Sequence, residues 1–294
     1  MLSDRNGPPP PDDHAHHDLI PEIVPPLPVP NVMARDLPWQ TALTWLRQGW
    51  TDLMTNPLPS LIYGVGVYLV SVLVVWLLFR LELDYALFPA LAGFMVIGPL
   101  VANGLYVKSR NLEQGRETSL AEMLFVRPRS FVSTSFMGVI LLMLFLLWNR
   151  AAVLLWALFF GVRPFPGIDE ILPWLFTTPQ GWALIVIGGA VGALFAAFSF
   201  AISVFAVPML LEERTDALSA LGISMAMVWN NLSVMIAWGA IVLGLFLVCI
   251  ATGLLGLILV FPLLGHGTWH AYRALRPADR AEGDEPERVF ISLA

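Results

Sequence analysis

Charge is scarce in this chain. Only 13% of its 294 residues are Asp, Glu, Lys or Arg, about half of what a soluble domain carries, while 57% are hydrophobic and the mean hydropathy is +0.73. Length alone would allow a globular enzyme of one or two domains; this composition excludes it. The net charge of −6 is a poor guide to partners, because acidic residues crowd into the two tails and basic ones cluster beside apolar runs. With no continuous basic surface, no nucleic-acid partner is expected. Cysteine is nearly absent. Cys249 lies inside an apolar run, which rules out an intramolecular disulfide and favours a packing role over a reactive thiol. There is no basic segment followed by an apolar one at the N-terminus, so no cleavable signal peptide is expected and the first span must direct insertion. Phosphate loop, nucleophile triad and paired-carboxylate patterns are all missing, and the apolar spans carry no acidic residue. The chain is therefore expected to be neither an enzyme nor the holder of a resident cofactor.

What is present is apolar length. Residues 1–35 read as a proline-rich, disordered tail in which His14, His16 and His17 are solvated, residues 36–276 as the membrane domain, and residues 277–294 as a second tail. From Leu37 to about Asn56, the residues Leu43, Leu46, Trp50 and Leu53 recur at three- and four-residue steps around Arg47, Gln48 and Asp52. The spacing predicts an amphipathic helix in the membrane interface, anchored by Trp39, Trp45 and Trp50 and stopped at Asn56-Pro57. A span needs about 20 apolar residues. Leu58–Phe79, Tyr85–Val107, Phe131 to about Trp148, and Trp182–Leu211 qualify, and the stretch from Leu232 to Tyr272 divides into two at the Thr252–Gly256 turn, the alternative being one long bent helix and five spans. The fold class is thus an all-α polytopic bundle of about six transmembrane helices with interfacial amphipathic helices.

The middle is ambiguous. Asn149 and Arg150 interrupt an apolar run that continues to Val162, so either the third helix ends at Trp148 with an interfacial or re-entrant helix after it, or it starts later and carries Arg150 in the membrane. From Phe131, an α-helix reaches Trp148 after about 27 Å, which favours Arg150 snorkelling to the headgroups. Basic residues set the orientation. An internal N-terminus places 13 of the 16 Lys and Arg on the cytoplasmic side and leaves only Arg80, Arg150 and Arg163 outside. Both termini are therefore expected in the cytoplasm, in a multi-pass inner-membrane protein. The loop from Lys108 to Arg129 reads as topology signal and anionic-lipid contact.

The chain also repeats itself. Aligning Ala42 with Ala217 superposes ALTWLRQGWTDLMTNPLPSLIYG on ALSALGISMAMVWNNLSVMIAWG, and Pro99, Leu100, Gly104 and Arg110 match Pro262, Leu263, Gly267 and Arg273. A weaker middle copy runs from Ser119–Phe125 to Pro208-Met209-Leu210. The unit is an amphipathic helix followed by a helical hairpin, three times in one orientation.

The string Gly265-His266-Gly267-Thr268-Trp269-His270-Ala271-Tyr272-Arg273, together with Gly98-Pro99-Leu100 through Leu105-Tyr106 and Ser109-Arg110, and with Ser199-Phe200-Ala201 through Pro208-Met209-Leu210, resembles the bacterial integral membrane family called domain of unknown function 2189. The resemblance covers roughly Arg35 to Arg276. It implies a membrane protein without an assigned activity and, through a cytochrome-oxidase-related label on some members, a loose association with respiratory complexes. It transfers no active site.

Few residues could carry chemistry. His266 and His270 lie four apart on one helix face, suited to a shared metal or haem only if a third ligand comes from elsewhere, and otherwise to hydrogen bonding at the membrane boundary. Pro99, Pro208 and Pro262 each free a carbonyl one turn earlier; with Gly98, Gly104, Gly265 and Gly267 they either widen a vestibule or let helices pack closely. Three functions follow as alternatives: a scaffold or accessory subunit of a membrane complex, with a membrane-protein partner or a second copy of the chain beside the lipid bilayer; a small-solute transporter or channel in which Arg150 and the prolines line a path; and a redox protein that binds haem or metal through His266 and His270.

Overall fold

The computed structural model describes residues 33–126, 131–161 and 166–276, with the side chain of Ile168 excepted. Residues 1–32 of the first tail and the whole of the second, together with Arg127, Arg129 and Arg163, lie outside the described residues. Among the described residues every regular element is helical, as the composition predicts.

Twelve α-helices occur among the described residues. The first unit comprises α1 (Thr41–Met54), α2 (Pro57–Arg80), α3 (Leu87–Val101) and α4 (Asn103–Glu113). The middle unit comprises α5 (Leu120–Leu124), α6 (Phe131–Phe160), α7 (Ile168–Thr177), α8 (Pro179–Ser203) and α9 (Ala206–Glu212). The last comprises α10 (Ala217–Asn230), α11 (Leu232–Ala251) and α12 (Leu257–Leu275). Five helical runs are long and apolar enough to cross a membrane: Pro57–Arg80, Asp84–Glu113, Phe131–Phe160, Pro179–Glu212 and Leu232–Ala251. The sixth expected span, α12, is 19 residues long, but its second half carries the histidines and Arg273, and it falls short of the same apolarity.

The repeat is visible in the elements. Helices α1 and α10 are both 14 residues long, and each hands over to a span at the matched asparagine, Asn56 or Asn231. Asn56 makes the turn in the left-handed region at φ 53°, which Asn tolerates better than most side chains, and Pro57 opens α2 where its missing N–H is no loss. In the middle unit the leading helix shrinks to five residues behind a Ser119–Glu122 capping box, and α7 is inserted into the hairpin. Each hairpin closes on itself. Tyr63 near the start of α2 donates to the Val101 carbonyl at the end of α3 (2.6 Å), Trp148 of α6 packs on Phe195 of α8, and in the last unit Gly256 meets Cys249 while Gly267 meets Trp238.

Three expectations need correction. The buried face of α1 is Ala42, Trp45, Gly49 and Leu53, whereas Leu43 and Trp50 are exposed. The reason is α12: a Cβ on Gly49 would sit 2.6 Å from the Gly267 nitrogen, so the helices touch backbone to backbone. Trp45 is accordingly not an interfacial anchor but a core residue, edge-on to Trp238 at 6.0 Å. The third span neither ends at Trp148 nor starts late, because α6 is continuous for 30 residues. Its nearly unbroken apolar sequence lets Asn149 and Arg150 ride on the helix surface without interrupting its backbone. Finally, Lys108 is not in a lipid-contacting loop. It lies inside α4 and is 2% exposed.

The ends of α4, α9 and α12 meet α1 and α10 in a packed base that holds the fully buried Trp45, Trp238, Trp269, Tyr106 and Tyr272. Away from the base, α2 and α6 leave most of their apolar residues exposed.

Candidate functional site

Six side chains from four helices form one hydrogen-bonded chain in the base. Lys108 Nζ on α4 donates to the Asn56 carbonyl (2.8 Å) and to Ser60 Oγ on α2 (2.8 Å). Ser60 Oγ lies 3.0 Å from His266 Nε2 on α12, and His266 Nδ1 lies 2.8 Å from Ser109 Oγ on α4. Ser109 donates to Asp52 Oδ2 on α1 (2.6 Å), which also meets His270 Nε2 at 2.9 Å. Ser60, Ser109 and His266 are fully buried, whereas the Asp52 and His270 side chains keep 14% and 16% of their surface.

Chemistry fixes the direction of every bond. An ammonium can only donate, so Ser60 accepts from Lys108 and turns its own proton towards His266 Nε2. A carboxylate can only accept, so Ser109 donates to Asp52 and takes a bond from His266 Nδ1–H. Both ends require the same His266 tautomer, neutral with its proton on Nδ1. Burial alone would raise the Asp52 carboxyl, but the hydrogen bonds from His270 and Ser109 hold it below its usual value.

Helix geometry explains the convergence. On α12, His266 and His270 share a face one turn apart, and Gly265 and Gly267 on either side of His266 let Leu105 and Trp238 approach closely enough that an added Cβ would meet them at 2.5 and 2.6 Å. On α2, Gly64 lies one turn beyond Ser60 and abuts the Ile258 backbone, which presses the start of α2 onto α12. Beyond Ser60 the contact between these helices is therefore apolar.

A second set of charges lies one turn farther along α12. Arg273 faces Glu113 of α4 and Glu212 at the end of α9, both at 3.3 Å. Arg276 reaches Glu212 at 3.3 Å and Glu213 at 2.9 Å. Trp269 donates to Glu113 (3.0 Å), Tyr272 to Glu213 (2.8 Å), and Arg35 to the Arg276 carbonyl (2.6 Å). The carboxylates come from the first and middle units and the arginines from the last, so the ion pairs tie all three units together.

The residues singled out in the sequence fare differently. His266 and His270 are brought together around Asp52, a carboxylate supplied by the amphipathic helix and not by a span. Both His266 ring nitrogens are occupied by serine hydroxyls, which leaves neither for a metal, and no group of three His, Cys, Asp or Glu side chains with metal-binding spacing occurs among the described residues. Arg150 is remote from this site. It is exposed on α6, about 28 Å along the helix from Phe131, and borders an apolar cleft with Leu147, Phe198 and Leu218. The prolines do not converge either. Pro99 lies three residues before the α3–α4 junction at Ala102, Pro208 lies just past the α8–α9 break at Val204-Phe205, and α12 runs unbroken through Pro262. At the α8–α9 break, Ser224 of α10 receives the Phe205 N–H and donates to the Ala201 carbonyl, so the backbone groups set free there find partners. Gly104, Gly265 and Gly267 serve close packing, and Gly98 faces open space.

Sequence reading missed Asp52, Asn56, Ser60, Lys108 and Ser109. One signal was available. Lys108 is the chain's single lysine, and every other member of its 16 basic residues is arginine.

Residues 87–212 match the model of a family described as a predicted integral membrane protein, DUF2189. That segment is similar to DUF2189. No curated protein and no solved structure matches the chain. The DUF2189 match runs from the start of α3 to the end of α9 and contains Lys108, Ser109, Glu113 and Glu212. Asp52, Ser60, His266 and His270 lie outside it, as does the Gly265–Arg273 string that carried part of the resemblance. The DUF2189 description gives membrane integration and names no catalytic activity.

Proposed function

We propose that the protein is a non-enzymatic scaffold or accessory subunit of an inner-membrane complex, with both termini in the cytoplasm and a membrane-protein partner seated between its spans. The observation that carries this reading is the contrast between an ion-paired base and wide apolar clefts among the spans above it. One cleft of about 630 Å³ lies between α2, α3 and α6, bordered by Val67, Val74, Leu91 and Phe145. Another of about 840 Å³ lies between α8, α10 and α11, bordered by Leu194, Met225, Trp229 and Ile236. Helices associate in membranes through close van der Waals contact, and these linings are suited to an apolar helix. The 13-to-3 distribution of basic residues supports the cytoplasmic placement of the base.

A photo-crosslinking amino acid at Leu194, Met225 or Ile236, in cells expressing the full chain, tests the proposal. The expected result is one protein adduct of fixed mass from all three cleft positions and none from Leu69, which borders no cleft described here. Lipid adducts alone from all four positions would overturn it.

A further inference from the structure

The hydrogen-bonded chain in the base has a property that a structural clamp does not require: every link is a group that can both give and take a proton. We propose that Lys108, Ser60, His266, Ser109 and Asp52 form a proton-binding relay, in which the Lys108 amine is loaded and unloaded through His266 and the relay opens to water at Asp52 and His270. The proposal goes beyond the scaffold reading and does not depend on it.

The step balances. Lys108 Nζ passes a proton to Ser60 Oγ, Ser60 passes its own to His266 Nε2, His266 releases its Nδ1 proton to Ser109 Oγ, and Ser109 passes its own to Asp52 Oδ2. Each proton crosses one hydrogen bond, and the distances are 2.8, 3.0, 2.8 and 2.6 Å. Lys108 ends as a neutral amine, Asp52 as a carboxylic acid, and His266 with its proton moved from Nδ1 to Nε2. Asp52, at the partly exposed end, then yields the proton to water, and the reverse sequence reloads Lys108.

Two observations single out this chain from ordinary buried polarity. Lysine occurs once, at the closed end of the relay, in a protein that uses arginine at every other basic position. A guanidinium serves ion pairs well but cannot hand on its proton, whereas an amine can. The neighbours also leave the chain undisturbed. The titratable groups facing it are Asp52 from α1 and His266 and His270 from α12. Tyr63 on α2 is bonded to the Val101 carbonyl, and Glu122 on α5 to its own capping box. Glu113 on α4 and Glu212 and Glu213 at the end of α9 face Arg273 and Arg276.

A single lysine makes the test direct. Full-length protein labelled with nitrogen-15 lysine and nitrogen-15 tryptophan and held in lipid nanodiscs gives one side-chain amine signal, whose proton exchange with water can be timed, beside the indole signals that report the fold. Fast exchange is expected in the wild type. Ser109→Ala and Asp52→Asn each remove one proton-passing link and should slow exchange on the order of a hundredfold, the size of effect that a positioned proton-transfer group supplies. Ser109→Thr keeps a hydroxyl and should restore it. A clamp without relay function predicts the opposite sign, since loosening the base exposes Lys108 and speeds exchange. Slow exchange in the wild type, or unchanged or faster exchange in variants whose tryptophan indole signals remain native, would overturn the relay. Asp52→Asn, at the partly exposed end, keeps the test available if Ser109→Ala does not fold.

Discussion

The base and the spans of this protein are built from different contacts. In the base, backbones touch and charges pair: Gly49 lies against Gly267, Trp45 meets Trp238 edge-on, and Arg273 and Arg276 bridge carboxylates from two other units. Among the spans, few residues of the apolar windows of α2 and α6 are buried (6% and 11%), whereas the run Pro179–Glu212, which continues through α9 into the base, reaches 61%. Helices that leave apolar faces to lipid lose little, because lipid tails solvate apolar side chains as well as protein does. Charged and aromatic side chains have no such substitute, so specificity is concentrated where the three units meet. The lesson is that fold stability should respond sharply to changes in the base and weakly to changes of similar size in the spans.

The largest effect is expected at the α1–α12 crossing. Gly49→Val would drive side-chain carbons into the Gly267 and Leu263 backbone, neither of which can yield as a flexible side chain would. A loss of about 3 kcal/mol or more, or failure to accumulate folded protein, is expected from overpacking of this kind, measured by thermal unfolding in detergent. The matched control, Gly66→Ala on α2, meets nothing within 4 Å and should leave the midpoint unchanged or slightly raised. Equal sensitivity at the two glycines would erase the contrast between base and spans.

Next in size is the ion-pair cluster. Arg276→Met leaves Glu213 facing Tyr272 without its guanidinium, where the two charged side chains keep only 10% and 11% of their surface. Stranding a buried charge costs about 3 kcal/mol. The double variant Arg276→Met with Glu213→Gln should recover part of that loss, and an additive loss would show that the pair is not coupled.

Acidification provides a smaller effect whose sign is fixed. The folded Asp52 carboxyl is held below its unfolded value, so the stability it contributes is present above about pH 3.9 and is lost as the pH falls further, towards the folded value. Wild-type unfolding should therefore steepen below about pH 4, near the ordinary carboxylate range, and Asp52→Asn should flatten that part of the curve. A variant that follows the wild-type curve throughout would remove Asp52 from the account. Smallest of all, Leu73→Ala, on a lipid-facing position of α2 that is 51% exposed, should shift stability by no more than about 0.5 kcal/mol.

Much of this architecture could be read from the sequence. Apolar length located the spans, Asn56-Pro57 and Thr252–Gly256 marked the turns, and the Ala42–Ala217 alignment foreshadowed two helices of equal length before matched spans. Trp45 was misassigned as an interfacial anchor because hydrophobicity gives Ala42 and Gly49 little weight, whereas contact with α12 selects for smallness on the face that Trp45 shares. The site was half legible. Two histidines four apart announce themselves, but their partners are a carboxylate on the amphipathic helix, two serines and a lysine, each ordinary in its own segment. Only packing α1, α2 and α4 against α12 gathers them. Periodicity along one helix carries no information about which of its polar residues will face another.

The length of α6 bears on where the protein can reside. Thirty residues of helix measure about 45 Å, against a hydrocarbon thickness of about 30 Å, and a tilt near the upper limit of about 40° would not absorb the difference. The surplus falls beyond Arg150, where Trp156 stacks on Phe160 with centroids 3.8 Å apart and Trp174 meets Phe160 at a tilt, 4.4 Å away. In a thin bilayer that aromatic cluster stands among the headgroups; in a thicker one it is drawn towards the acyl chains and Arg150 has farther to reach. Hydrophobic mismatch at a single helix thus gives the protein a preference among membranes of different thickness, which neither the base nor the clefts would impose.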